Sequence, residues 1–175
     1  MPEFTLRFPS QELAALAARN AQIDDPAVQE AGRAARGRGF YHREEFLIVS
    51  QWKSRSVRPG REENDEATVR DVTSLAFSSS SERVRIEALL QLRGVTWSSA
   101  SVLLHWGHPD PYPVLEPRVL WSVGIERNPR RFDFDFWWGY VRACRRYIEE
   151  AGIDARTLDR ALWQYAREHF SARST

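Results

Sequence analysis

The residues best placed to do chemistry lie in "LLQLRGVTWSSASVLL", Leu89 to Leu104. Leu92, Gly94, Val95 and Thr96 stand almost side by side, followed by Ser98 and Ala100. Gly94 permits a turn too tight for a side chain. Val95 can plug the gap between two helices, and Ala100 lets them approach closely. The first N–H groups of the second helix then have no acceptor inside it, and they point outward beside the positive end of its dipole. Such an arrangement binds an anion, and on DNA that anion is a backbone phosphate. The plain alternative is an αα-hairpin that binds nothing.

Two further features stand out. Of the 25 basic residues, 24 are arginine and a single one, Lys53 in "QWKS", is lysine. A codon bias toward arginine accounts for most of that imbalance, and a lysine that survives it merits a role. His105 and His108 flank "WG" in "LLHWGHPDPY". Three-residue spacing with no further ligand is a weak metal pattern, so capping or packing is the favoured reading.

These residues need a scaffold. At 175 residues the chain has the size of one domain with a substantial core. Hydrophobic residues make up 42% and charged residues 28%, as in ordinary globular proteins. With one cysteine, Cys144, it can form neither an internal disulfide nor a four-cysteine zinc or iron–sulfur site. No run approaches the roughly 18 apolar residues of a membrane span, and the N-terminus lacks an apolar signal core. A cytoplasmic protein is expected. The net charge of +1 gives no bulk basic field, but a hairpin that offers backbone N–H groups needs little.

The pattern reads helical nearly throughout. Ser10 is an expected N-cap, with Leu13, Leu16 and Ala17 on one face behind it. Pro26, Gly32, Gly37 and Gly39 mark a loop. "HREEFLIVSQWKS" reads as a buried helix that turns either Phe46, Val49 and Trp52 or Leu47 and Ile48 inward. Val69, Val72, Leu75 and Ala76 form a helical stripe, and Ser79 with Glu82 is a capping-box pattern. "PDPYPVLEP" is irregular and leads to a short helix around "RVLWSVG". The alternating "FDFDF" would have no partner as a strand, so it reads as a loop entering a helix. Gly152 stops that helix, and Asp154 caps the last one. The expectation is an all-α, single compact domain, with residues 1–39 an N-terminal helix and loop packed on a body of residues 40–175.

The hairpin resembles the helix-hairpin-helix motif: apolar-x-x-apolar-x-Gly-apolar-Gly, three residues, alanine, two residues, two apolar positions. Every position fits except Thr96, which stands where a second glycine is usual. Threonine keeps the N–H but disfavours positive φ, which weakens or reshapes the phosphate site. The segment "YPVLEPRVLWSVG" resembles the proline–apolar–Asp stretch of helix-hairpin-helix DNA glycosylases, and the resemblance covers about residues 40 to 170. It implies a DNA glycosylase-like fold, with Leu92, Gly94, Val95, Thr96 and Ser98 at a DNA phosphate and Glu116 in the place of the catalytic aspartate.

That role suits a carboxylate. Breaking an N-glycosidic bond builds positive charge on the sugar, and an adjacent anion stabilises it. Two residues depart from the pattern. Glutamate moves the carboxylate by a methylene, and Ser98 stands where bifunctional members carry a nucleophilic lysine. Lys53 is the candidate replacement, as a nucleophile giving lyase activity or as a phosphate contact; otherwise it is a solvated lysine at a helix end. Glu116 is otherwise a helix-start glutamate before Pro117.

Base-flipping enzymes stack the extruded base on flat side chains. Of the seven tryptophans, Trp52, Trp97 and Trp121, together with Tyr112, are the pocket candidates. Trp137, Trp138, Tyr140, Tyr147, Trp163 and Tyr165 cluster toward the C-terminus and read mostly as core. The resemblance implies a monomer acting on double-stranded DNA in base-excision repair, with no membrane partner. It implies no cofactor, beyond a monovalent or divalent ion at the hairpin. The alternative is a non-catalytic DNA- or partner-binding module on the same fold. An enzyme with some other small substrate has no residue evidence.

Overall fold

A computed structural model describes residues 2–22, 24–52, 59–127 and 129–170. The described residues form nine α-helices and no strand, so the chain is all-α. Helix contacts divide it into two units, Ile23–Asp110 and Met1–Gln22 with Pro111–Thr175.

The first unit holds α2 (Pro26–Arg38), α3 (Arg43–Ser50), α4 (Glu66–Ser78), α5 (Glu82–Leu89) and α6 (Trp97–Gly107). The glycine-rich stretch expected as a loop is α2. Asp25 caps it by accepting from the Ala27 N–H at 2.9 Å, Pro26 starts it, and Gly39 ends it at φ 91°. Proline at the first helical position and glycine just past the end are the normal punctuation of a helix. Gly32 does not break α2 because it lets the helix lie against α6. A Cβ there would fall 2.7 Å from the Trp106 Cβ and 2.9 Å from its carbonyl oxygen.

In α3, Phe46 and Val49 take the core positions, while Leu47 and Ile48 are only half-buried. The α4 stripe is corrected as well: Val69, Thr73 and Ala76 are buried, and Leu75 is 51% exposed. Thr73 belongs inside because its hydroxyl accepts from the Tyr41 N–H at 2.9 Å and donates to the Val69 carbonyl at 2.7 Å. The cap of α5 is Ser81, accepting from the Val84 N–H, in place of the expected Ser79. The Ser79 hydroxyl instead donates to the Ser81 carbonyl.

The second unit contains α1 (Leu13–Arg19), α7 (Pro117–Ser122), α8 (Phe134–Ala151) and α9 (Ala155–His169). Ser10 begins a 3-10 turn and caps nothing with its side chain, but Leu13, Leu16 and Ala17 are buried as expected. An extended N-terminal segment is tied down by Thr5 N–H to the Val123 carbonyl at 2.9 Å and Arg7 N–H to the Ser122 carbonyl at 3.1 Å. Tyr147 and Tyr165 donate their hydroxyls to the carbonyls of Phe4 and Arg7. Asp133 caps α8, Gly152 ends it in the left-handed region at φ 62°, and Asp154 caps α9.

Because the α2–α6 contact leaves no room for a Cβ, Gly32→Ala should destabilise the protein by about 1–3 kcal/mol through overpacking, despite the gain in helix propensity. Urea denaturation measures the change, and an unchanged or raised midpoint would contradict the packing described.

Candidate nucleic-acid interface

The hairpin is α5, a turn through residues 90–96, and α6. Gly94 adopts φ 71°, which an L side chain resists. Leu92 and Val95 are buried beside the turn, and the Val95 N–H donates to the Leu92 carbonyl at 3.1 Å. Ala100 is fully buried on α6.

Thr96 sits at φ −112°, in ordinary extended backbone, so the positive φ feared for threonine does not arise. It is the N-cap of α6. Its hydroxyl accepts from the Ser99 N–H at 3.3 Å, and its own N–H donates to Ser99 Oγ at 2.7 Å. An anion at Thr96 must therefore compete with Ser99. The first i→i−4 bond of α6 is Ala100 N–H to the Thr96 carbonyl at 2.8 Å. The amides of Trp97 and Ser98 precede it at the positive end of the helix, and both residues are half-buried.

A second turn lies behind the first. Asn64, 4% exposed, accepts from the Arg93 N–H at 2.9 Å and donates to the Arg93 carbonyl at 3.0 Å. Its amide also donates to the Arg61 carbonyl at 2.9 Å. Arg61 is fully buried and donates from Nε to the Gly94 carbonyl at 3.3 Å. Neither residue was evident in "GREENDE", where an asparagine beside an aspartate reads as one more capping residue for α4. Ser99 was hidden too, because serine is not the usual third-position partner in a capping box.

At the far end of α6, His108 is buried and its Nε2 lies 2.6 Å from Nη1 of Arg85, itself buried on α5. The Asp110 N–H donates to His108 Nδ1 at 3.0 Å. His108 thus packs and caps, as favoured from sequence. Among the described residues no group of three or more His, Cys, Asp or Glu is arranged to hold a metal ion.

Trp52 is half-buried, edge-on to Trp106 at 5.1 Å and stacked on His105 at 6.1 Å. Lys53, the candidate nucleophile, lies outside the described residues. Trp97, also a pocket candidate, is half-buried at the start of α6 in the first unit, and Tyr112 and Trp121 belong to the second. Tyr112 is buried, stacked on Trp137 at 6.0 Å with the Arg145 guanidinium 4.6 Å from its ring. Trp121 is buried against Tyr165 at 5.7 Å and Arg7 at 4.6 Å. Both rings are buried among other aromatic side chains.

Glu116 is the half-buried N-cap of α7; its carbonyl accepts from the Leu120 N–H at 3.0 Å, but its carboxylate does not cap the helix. It adds to the negative surroundings of the buried Tyr140 hydroxyl. That group is held well above its ordinary pKa, first by burial, then by Cys144 and Asp159, with Glu116 contributing least. Tyr140 donates to the Val114 carbonyl at 3.0 Å, just upstream of Glu116.

Compared with known proteins, the chain matches no family model, no curated protein and no solved structure.

Burial, and next the Arg85 guanidinium, hold the His108 pKa below its ordinary value. An unfolded chain takes up this proton below about pH 6.5, where the folded chain resists it. The stability tied to His108 should be full above that pH and decline as the pH falls toward the lowered folded value. Urea midpoints at pH 7.5 and 5.5 test this. His108→Gln should shrink the difference between them, and an equal difference in the variant would refute the assignment.

Proposed function

We propose that the chain is a DNA-binding protein that engages backbone phosphate through the 89–104 hairpin and acts as a base-excision DNA glycosylase with Glu116 as its carboxylate. The observation carrying the binding reading is the hairpin turn: Gly94 at φ 71° between two helices, with the α6 amides following at the positive helix end. This geometry supplies donors without requiring a basic surface, in keeping with the net charge of +1. The catalytic reading rests on Glu116, the half-buried residue at the start of α7 that stands where the resemblance places the catalytic carboxylate, a group that stabilises positive charge on a sugar. The double-stranded DNA partner and the monomeric, cytoplasmic state are part of the same proposal. Lyase chemistry enters it only if Lys53 acts as an amine nucleophile.

Fluorescence anisotropy with short duplexes at low salt tests binding, and strand-cleavage assays on a panel of modified-base duplexes test excision. The expected result is salt-sensitive binding and excision of at least one base, abolished in Glu116→Gln with binding retained. Binding without excision of any base would assign the chain to non-catalytic DNA-binding modules. No binding at low salt would defeat the DNA reading altogether.

Ser99→Ala offers a sharper probe, because its two effects have opposite signs. It removes half of the reciprocal cap and should cost about 1 kcal/mol of stability. It also frees the Thr96 N–H, so DNA affinity should rise severalfold at temperatures where the variant is fully folded. A fall in affinity would show that the Thr96 amide is not a phosphate donor.

A further inference from the structure

We infer that Asn64 is the positioning residue of the hairpin, presetting the turn at Gly94 for a phosphate; this rests on the binding reading above. Asn64 touches the Arg93 peptide on both sides, through its N–H at 2.9 Å and its carbonyl at 3.0 Å. The Arg93 carbonyl belongs to the peptide plane that also carries the Gly94 N–H. In a trans peptide the two groups point in opposite directions, so the bond to Asn64 turns the Gly94 N–H away from the Asn64 amide. The next plane, carrying the Gly94 carbonyl and the Val95 N–H, is fixed by Arg61 Nε and the Leu92 carbonyl. Both planes flanking the positive-φ glycine therefore take a bond from a side chain of one neighbouring turn, and the second is held by the hairpin's own backbone as well.

Arg61 ties the same neighbouring turn to the hairpin a second time. It is fully buried, and burying a guanidinium is costly. Asn64 holds Arg61 in place as well, through the bond from its amide to the Arg61 carbonyl at 2.9 Å.

The test compares Asn64→Ala with the wild-type chain and with Thr73→Val. Thr73 is a buried hydrogen-bonding residue on α4 that makes no contact with the hairpin turn through its hydroxyl. DNA affinity and its salt dependence are measured by anisotropy, at a temperature where circular dichroism shows every variant fully folded. Asn64→Ala should weaken binding about tenfold or more, the scale of one to two lost hydrogen bonds, with a shallower salt slope. Thr73→Val, though destabilised, should bind as the wild type does. Should Asn64→Ala not fold, Asn64→Asp replaces it. Aspartate keeps the acceptor for the Arg93 N–H and loses both donated bonds, and a comparable loss of affinity is expected. If the wild type binds and the folded Asn64 variant binds equally well, or if Thr73→Val loses as much, the inference is overturned while the hairpin reading stands. Failure of the wild type to bind any duplex overturns both.

Discussion

Helix α6 is buried without a break from Ser99 to His105, and that enclosure is the constraint on which the first unit depends. A helix covered on all faces needs neighbours on all sides, and α2, α3 and α5 supply them. Close approach then demands small residues, which explains Gly32 on α2 and the Ser99–Ala100–Ser101 run on α6 itself. It also demands that the helix ends be satisfied locally, because water cannot reach most of their backbone groups. The Thr96–Ser99 pair does this at the start, and at the end the His108 N–H donates to the Leu104 carbonyl and Arg36 to the Trp106 carbonyl. The proposed binding surface lies at the half-buried start of this enclosed helix, at Trp97 and Ser98.

Arginine has a second use in the molecule that its near-neutral net charge conceals. Arg7 reaches the Trp121 carbonyl, Arg36 that of Trp106, Arg43 those of Asn64 and Glu62, Arg61 that of Gly94, and Arg160 that of Gln22. Several of these carbonyls lie at helix ends or in turns, where no intrahelical donor is available. The forked, permanently charged guanidinium suits that task better than an ammonium does. An arginine-rich composition is thus turned to structural use, as cation brackets on exposed or half-buried backbone.

Much of the helical plan was legible because its punctuation is local. Asp154, Gly152 and the inward face of Leu13, Leu16 and Ala17 act where sequence places them. The errors came where a residue's partner is distant. Gly32 reads as a helix breaker within its own segment, yet it lies inside α2 because Trp106 packs directly against it. The expected stripe on α4 took Leu75 and passed over Thr73, yet the buried Tyr41 amide requires the Thr73 hydroxyl. At the candidate site, Gly94, Val95 and Thr96 were legible from their spacing. Asn64 and Arg61 were not, since nothing within "GREENDE" tells which turn they will meet 29 to 33 residues later.

The sequence by itself determined that the chain is helical, where most helices start and stop, and that a glycine turn precedes α6. Those features follow from backbone preferences and capping chemistry, which act over four or five residues. Tertiary structure alone decided how each polar group at that turn is engaged. It committed the Thr96 amide to Ser99, placed Asn64 on both sides of the Arg93 peptide, and buried a guanidinium beneath Gly94. Such commitments depend on which distant segment arrives with a matching donor or acceptor, and that is settled only when the helices pack.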